Sequence, residues 1–153
     1  MKINLRILLK SYAVFLALLP AMGCVQRPSE ETNKDAVEWF QMSTGLELPK
    51  TSTVVNAASV TSIVSTYYIQ LSTSPELEKL LTENFEIESN TPKDLTLPQG
   101  WDEYVPFWSL DKLKSPKYFS RIICDKDGKP EWWATVAYDS ATGKCFFLGE
   151  QCR

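Results

Sequence analysis

The stretch of sequence that decides the fold runs from residue 118 to residue 148 and reads YFSRIICDKDGKPEWWATVAYDSATGKCFFL. Three segments in it are rich in β-branched and aromatic residues, which favour strands: 118–124, 131–138 and 144–148. The connectors between them contain Asp, Gly, Ser and Pro, which are typical of turns. The stretch therefore predicts a three-stranded antiparallel meander.

The middle segment of this meander directs its side chains alternately to two faces. One face carries Trp132, Ala134, Val136 and Tyr138, and the other carries Trp133, Thr135 and Ala137. The adjacent indoles of Trp132 and Trp133 thus point in opposite directions. We expect at least one of them in the core and the other either exposed or covered by a helix.

A helix is predicted over residues 33–43. Thr32 or Asn33 offers an N-cap oxygen, and Gly45 suits the left-handed conformation in which many helices end. The buried stripe of this helix is expected to contain Ala36, Val37 and Phe40.

Two strands are predicted next, at 51–57 and 60–71, because β-branched residues are frequent in both segments. The short link at 57–59 favours a hairpin. In the second strand, alternation assigns one face to Ile63, Tyr67, Ile69 and Leu71.

The clearest helix start in the chain is Ser74-Pro75-Glu76, which combines an N-cap, a proline in the first turn and an acidic residue. This helix is predicted to run to about Asn84. Its core-facing stripe is expected to contain Leu77, Leu80, Leu81 and Phe85. Together these elements predict a single α+β domain with the order α-β-β-α-β-β-β, in which the helices pack on one face of an antiparallel sheet.

A long connection, residues 86–115, separates this helix from the meander. Its part at 97–108 is too aromatic for a disordered linker, so we expect it to be ordered and packed. The candidate binding residues are Trp101, Asp102, Tyr104, Phe107 and Trp108. These rings either present flat faces to a protein partner or a sugar, or cap the core beneath the loop.

The chain contains no histidine. This excludes a Ser-His-Asp triad, a Cys-His dyad and a His-based metal site. An acidic stretch, Glu83, Glu86, Glu88 and Asp94, leaves carboxylate-based hydrolysis as a minor alternative to a solvated surface. We predict no catalytic residue and no cofactor.

The segment Asp125-Lys126-Asp127-Gly128 resembles the start of a calcium loop. The EF-hand spacing needs a Glu at its twelfth position, where this chain has Val136. We therefore expect a hairpin turn here and no metal site.

Three cysteines lie in the C-terminal part of the chain: Cys124, Cys145 and Cys152. In an oxidising compartment three thiols form at most one internal bridge. The meander brings Cys124 and Cys152 to one edge, so we favour that disulfide and expect Cys145 to remain a thiol. The alternative, Cys145–Cys152, needs a chain reversal at Gly149.

The N-terminal residues combine three basic side chains, an apolar run at 13–19 and the exit sequence Pro20-Ala21-Met22-Gly23-Cys24. This pattern is typical of a secretory signal, and its exit resembles the lipobox of bacterial lipoprotein precursors. The resemblance implies that Cys24 receives a diacylglyceryl group and acyl chains such as palmitate, and that it becomes the first residue after cleavage. Residues 1–23 would then be the signal peptide, 24–32 the lipidated cysteine and tether, and 33–153 the single domain.

The residue after Cys24 is Val25 rather than Asp, which in this family implies the outer membrane, facing the periplasm. Removal of residues 1–23 takes away three basic residues and leaves 13 Lys+Arg against 19 Asp+Glu, a net charge of −6. Such a domain is a poor partner for nucleic acid. We expect a membrane-anchored, non-catalytic envelope protein that recognises another envelope or secreted protein. The alternative is a module that binds peptidoglycan or another glycan.

Overall fold

The computed structural model describes residues 24–26, 30–61 and 63–152, with only the backbone described for residues 24–26, 30 and 31. The described residues form two α-helices, α1 (Glu30–Thr44) and α2 (Pro75–Asn84). They also form seven strands, which are β1 (Cys24–Gln26), β2 (Val54–Thr61), β3 (Ser65–Ser72), β4 (Glu86–Glu88), β5 (Lys117–Cys124), β6 (Pro130–Asp139) and β7 (Lys144–Gln151). These strands make one antiparallel sheet in the order β1-β2-β3-β7-β6-β5-β4.

The predicted meander is confirmed, because β5, β6 and β7 are sequential neighbours in the sheet. Each strand extends one to three residues beyond its predicted bounds. The alternation along β6 is also confirmed, since Trp132 and Val136 lie in one apolar cluster while Ala137 lies in the other.

Both helices pack on the same face of the sheet, called the helix face below, which confirms the predicted α+β arrangement. Its cluster includes Trp39 and Phe40 from α1 and Leu77 and Leu81 from α2. Ser74 caps α2, because its Oγ accepts a hydrogen bond from Leu77 N at 3.0 Å. The inclusion of Val37 in the buried stripe was wrong: its side chain is 43 % exposed, and Trp39 takes the inward position.

The two predicted strands form an antiparallel hairpin, but the position predicted for its link, 57–59, was wrong. Strand β2 continues to Thr61, and β3 begins at Ser65. Ala57 and Ala58 are fully buried, one in each apolar layer, so the strand continues through this position instead of turning. Ile63 therefore falls outside both strands, where its side chain is 78 % exposed, rather than on the core face.

The opposite face of the sheet, called the loop face below, is covered by residues 92–113. This covering segment contains the 3₁₀ helices Lys93–Leu95 and Leu110–Lys112, and it confirms that the long connection is ordered and packed. Its buried members are Leu95, Val105 and Trp108, which pack on Ala58, Val60, Tyr68, Ala137, Phe146 and Leu148.

The helix α1 begins at Glu30, three residues before its predicted start. The backbone of β1 pairs with the end of β2, from Cys24 opposite Thr61 to Gln26 opposite Ser59. The predicted signal peptide, residues 1–23, and the lipid-bearing side chain of Cys24 lie outside the described residues.

Candidate binding surface

The ring of Trp108 is held inside the loop-face cluster. Its side chain is 8 % exposed, and its Nε1 donates a hydrogen bond to Leu95 O at 2.8 Å. The ring packs edge-on against Tyr68 and Phe146, each at a centroid distance of 5.2 Å. A buried, hydrogen-bonded indole is unavailable to a ligand, so Trp108 caps the core rather than forming the predicted binding site.

The other predicted binding residues lie around Trp108 and are more open. Trp101, Tyr104 and Phe107 are partly buried against the loop-face cluster, and Asp102 is exposed. The Trp101 ring meets Tyr68 at 6.0 Å in an edge-on contact. The three rings are thus partly used for packing, and a binding role for these four residues stays a prediction.

The covering segment leaves one end of the loop face open, and a single row of residues crosses four strands there. The register aligns Thr66 on β3 with Glu150 on β7, then with Trp133 on β6 and Ile122 on β5. Directly opposed residues of antiparallel strands share a face, so these side chains stand next to one another. We call this set the Trp133 row.

The two apolar members of the Trp133 row are strongly exposed for their size: Trp133 is 47 % exposed and Ile122 is 55 % exposed. Its charged member, Glu150, is exposed as well. Glu150 lies two residues beyond Leu148, the register partner of Tyr68, and so at the rim of the loop-face cluster. Burial and, secondly, the negative charge of Glu150 raise the pKa of Tyr68. The row therefore offers a flat aromatic face beside a negative charge.

The indole of Trp133 stands between two cavities. One, of about 340 Å³, lies toward β7 and β3 and is lined by Val64, Trp133, Glu150, Gln151 and Cys152. The other, of about 370 Å³, lies toward β4 and is called the loop-side cavity below; its wall includes Trp133, Ile122, Glu86, Glu88 and Asp94. An exposed indole between two depressions is the geometry of an anchor that a partner surface surrounds.

A further cavity of about 460 Å³, called the helix-side cavity below, opens around the end of α2 and the outer edge of β5. Arg121 lines it, and its Nη1 donates a hydrogen bond to Asn84 O at 2.6 Å. The guanidinium carbon lies 5.8 Å from the centroid of the Phe85 ring. Arg121 thus joins the end of α2 to the sheet, while its buried Nε has no hydrogen-bond partner.

The described cysteines, Cys124, Cys145 and Cys152, are free thiols. Burial raises the pKa of the Cys145 thiol and so keeps it in the unreactive protonated form. Cys124 and Cys152 lie at the same end of the sheet, beside Pro130 and Glu131 of β6. Cys145 is about seven residues away along β7, or roughly 23 Å, which rules out the alternative Cys145–Cys152 pair. A Cys124–Cys152 bridge stays a prediction.

The turn at Asp125 is a hairpin turn, as predicted. Oδ1 of Asp125 accepts hydrogen bonds from the backbone N–H groups of Asp127 at 2.8 Å and Lys129 at 2.9 Å, and Gly128 takes a φ of 78°. Within the described ranges, no group of three or more Cys, Asp or Glu residues could hold a metal ion.

The acidic stretch is divided by the fold. Glu83 is on α2, Glu86 and Glu88 are on β4, and Asp94 is in the covering segment. Glu88 accepts a hydrogen bond from the Ser120 hydroxyl, and Glu83 pairs with Lys79 at 3.8 Å on the surface. These carboxylates line cavity rims, which suits electrostatic recognition.

The Trp133 row was not identified as a site from the sequence. One signal was present, since Trp133 alternates onto the face opposite Trp132. The register that places Ile122 and Glu150 beside it involves three strands, and no local pattern reveals it.

Neither helix in the described part of the chain has both the length and the hydrophobicity needed to cross a membrane. Comparisons with protein-family models, with curated proteins and with solved structures found no match for this chain.

Proposed function

We propose that this chain is a lipid-anchored, non-catalytic binding protein of the bacterial cell envelope. It binds another envelope or secreted protein through the Trp133 row. Anchoring is through Cys24 of the lipobox-type exit sequence, and the location is the outer membrane, facing the periplasm. The chain's lack of histidine supports a binding role, because the common nucleophilic and metal-dependent hydrolases use that residue.

The observation that carries this proposal is the exposed indole of Trp133 between two cavities. Tryptophan is among the residues enriched in the hot spots of protein interfaces. There a large aromatic side chain is desolvated, and energetically less important contacts around it exclude water. Ile122 adds apolar area beside the indole, and Glu150 and Glu86 provide a polar rim. This combination of an apolar centre and a charged margin is typical of interfaces between proteins that also exist apart.

A site-specific crosslinking experiment tests the proposal. A photoreactive benzophenone side chain is placed at Ile122, and the full chain is expressed in a bacterium with its envelope intact. The matched control places the same group at Met42, which is similarly exposed, at 48 %, but lies on α1 over the other face. We expect a discrete protein adduct from residue 122 and none from residue 42.

The same experiment in a Trp133→Ala background checks the anchor. We expect the adduct from residue 122 to fall at least tenfold, since truncation of a hot-spot residue costs 2 kcal/mol or more, roughly a thirtyfold loss in affinity. Equal adducts from residues 122 and 42, or an adduct that survives Trp133→Ala, would contradict the proposal. Retention of the wild-type chain by purified peptidoglycan, lost on Trp133→Ala, would favour the glycan-binding alternative instead.

A further inference from the structure

The outer edge of β5 is only partly occupied. Strand β4 has three residues, which pair with Tyr118, Phe119 and Ser120 of β5. Strand β6 pairs with the other edge of β5 along its whole length, up to Cys124. Among the described residues, no strand pairs with the outer edge at residues 122–124, so this part of the backbone is an open template for a further strand.

We propose that this edge takes an extended segment of the partner protein as an added strand, in line with β4, and that the segment alternates basic and apolar residues. The inference rests on the proposed function, because it assigns the binding mode and the chemistry of the partner at the same surface. Strand addition of this kind takes its affinity from main-chain hydrogen bonds and its specificity from pockets for alternate side chains.

Two cavities that could receive alternate side chains of an added strand flank the open edge. The helix-side cavity and the loop-side cavity lie on opposite faces of the sheet, yet both are lined by Glu86, Ser120, Arg121 and Ile122. Because side chains of a strand alternate between faces, a strand added here would send one set into each cavity. Their volumes of about 460 Å³ and 370 Å³ are large enough for single side chains.

The loop-side cavity selects basic side chains. Its wall contains the carboxylates of Glu86, Glu88 and Asp94, with Lys93 beside them. The exposed ring of Trp133 at the same wall can receive a cation over its face. Charge complementarity and the indole thus favour a lysine or arginine from the added strand.

The helix-side cavity offers the ring of Phe85, which lines it, to apolar side chains. Two of its charged residues already have partners, since Arg121 donates a hydrogen bond to Asn84 O and Glu83 pairs with Lys79 on the surface. An added strand with basic residues on one face and apolar residues on the other matches both cavities.

The test uses a synthetic ten-residue peptide of alternating valine and lysine, blocked at both ends, and the full chain in detergent. The matched peptide replaces every lysine with glutamate. Affinity is measured by calorimetry at low salt, and backbone amide exchange of residues 122–124 is measured by NMR. We expect the lysine peptide to bind at least tenfold more tightly than the glutamate peptide and to slow amide exchange within residues 122–124 at least tenfold.

Charge variants separate specific recognition from general attraction. The paired substitution Glu86→Gln with Glu88→Gln should weaken binding of the lysine peptide by about fivefold or more, as two surface ion pairs are lost. The control pair Glu103→Gln with Asp111→Asn removes the same charge from exposed positions that line neither cavity, and it should change the affinity less than twofold.

Failure of this inference is distinguishable from failure of the proposed function. Absent binding, equal binding of both peptides, or binding without slower exchange at residues 122–124 would overturn strand addition, while a Trp133-dependent crosslink from residue 122 would leave the protein-binding role standing. Conversely, peptide binding with the expected protection but no such crosslink would support the strand site and argue against the Trp133 row as the partner surface.

Discussion

The side chain of Ser43 lies directly over Gly149: a Cβ atom added at residue 149 would stand 2.6 Å from Ser43 Oγ and 2.8 Å from Ser43 Cβ. The last turn of α1 therefore crosses β7 at the one position of that strand that has no side chain. Ser43 turns its hydroxyl inward to Trp39 O, at 2.5 Å, and is fully buried. This close approach sets the distance between α1 and the sheet.

Substitution of Gly149 by alanine should lower the free energy of unfolding by about 1–3 kcal/mol, because the added methyl group overlaps Ser43 in a closed core. Urea denaturation of the purified chain measures the loss. In the Gly149→Ala background, Ser43→Gly should cost less than it costs in the wild type, since it removes both overlapping atoms. Strictly additive effects of the two substitutions would show that residues 43 and 149 do not collide.

The two adjacent tryptophans of β6 should differ sharply in their contribution to stability. Trp132 is 5 % exposed and stacks on Tyr67 at 5.5 Å, so Trp132→Ala should cost about 3–5 kcal/mol. Trp133 is 47 % exposed, so Trp133→Ala should cost about 1 kcal/mol or less. Thermal or urea denaturation compares the two variants, which match in strand and in residue type. Similar losses would mean that the Trp133 ring is buried in solution.

Ser74 should contribute more to the free energy of unfolding than an ordinary surface serine does. Its Oγ caps α2 at Leu77 N and also contacts the hydroxyls of Thr51 at 3.2 Å and Ser52 at 3.0 Å. Ser74→Ala should therefore lower the free energy of unfolding by about 1–2 kcal/mol. The control Ser140→Ala changes an exposed serine in a turn and should have an effect within about 0.5 kcal/mol. Equal losses in the two variants would argue against the cap.

Asp139 should make the stability of the chain depend on pH in the acid range. Burial by itself raises the pKa of Asp139, but hydrogen bonds from Lys114 N, the Thr142 hydroxyl, Ser115 N and Ala141 N outweigh it and hold the pKa below its usual value. A lowered pKa means that the charged form favours the folded state. This contribution is complete above the unfolded-state pKa of about 4 and is lost as the pH falls through the lower folded-state pKa.

The variant Asp139→Asn separates this carboxylate from the others. At pH 7 it should be less stable than the wild type, because the amide replaces one accepting oxygen with a donor. As the pH falls below about 4, the difference between the two proteins should narrow. Denaturation curves from pH 7 to pH 2 measure the free energy of unfolding of both proteins. A constant difference across that range would show that Asp139 does not contribute to the pH dependence of stability.

The thiols should react in an order set by burial. Cys124 is exposed and Cys152 is partly buried, whereas Cys145 is fully buried between β3 and β6. A maleimide reagent added to the reduced, native chain should therefore label Cys124 first and leave Cys145 unlabelled until the protein is unfolded. Peptide mapping by mass spectrometry measures the extent of labelling at each cysteine. Labelling of Cys145 as fast as Cys124 would show that this end of the core opens readily.

The local features of the fold were predictable because neighbouring residues specify them. Ser74-Pro75 starts α2 through contacts within one turn, and the Asp125 and Gly128 turn joins β5 to β6 through its own backbone bonds. The hairpin between β2 and β3 was placed five residues too early, because the buried faces of Ala57 and Ala58 are created only when the sheet and both covering layers are present.

The candidate site, too, was predictable only in its local features. The aromatic content of residues 97–108 was enough to predict an ordered, packed segment, but composition does not tell which ring faces inward. Trp108 is buried because Leu95 O, Tyr68 and Phe146 surround it, and these partners come from three distant segments.

The sequence by itself determined an α+β domain with a C-terminal meander, a capped second helix, a chain without histidine chemistry and the opposite directions of Trp132 and Trp133. These follow from alternation, capping and composition, which act over a few residues. Only the tertiary structure decided that the covering segment leaves Trp133 exposed, that Ile122 and Glu150 stand beside it, and that no described strand pairs with the outer edge of β5 past Ser120. Such features depend on strand register and on the path of a loop without periodicity, which are settled by packing between residues far apart in the chain.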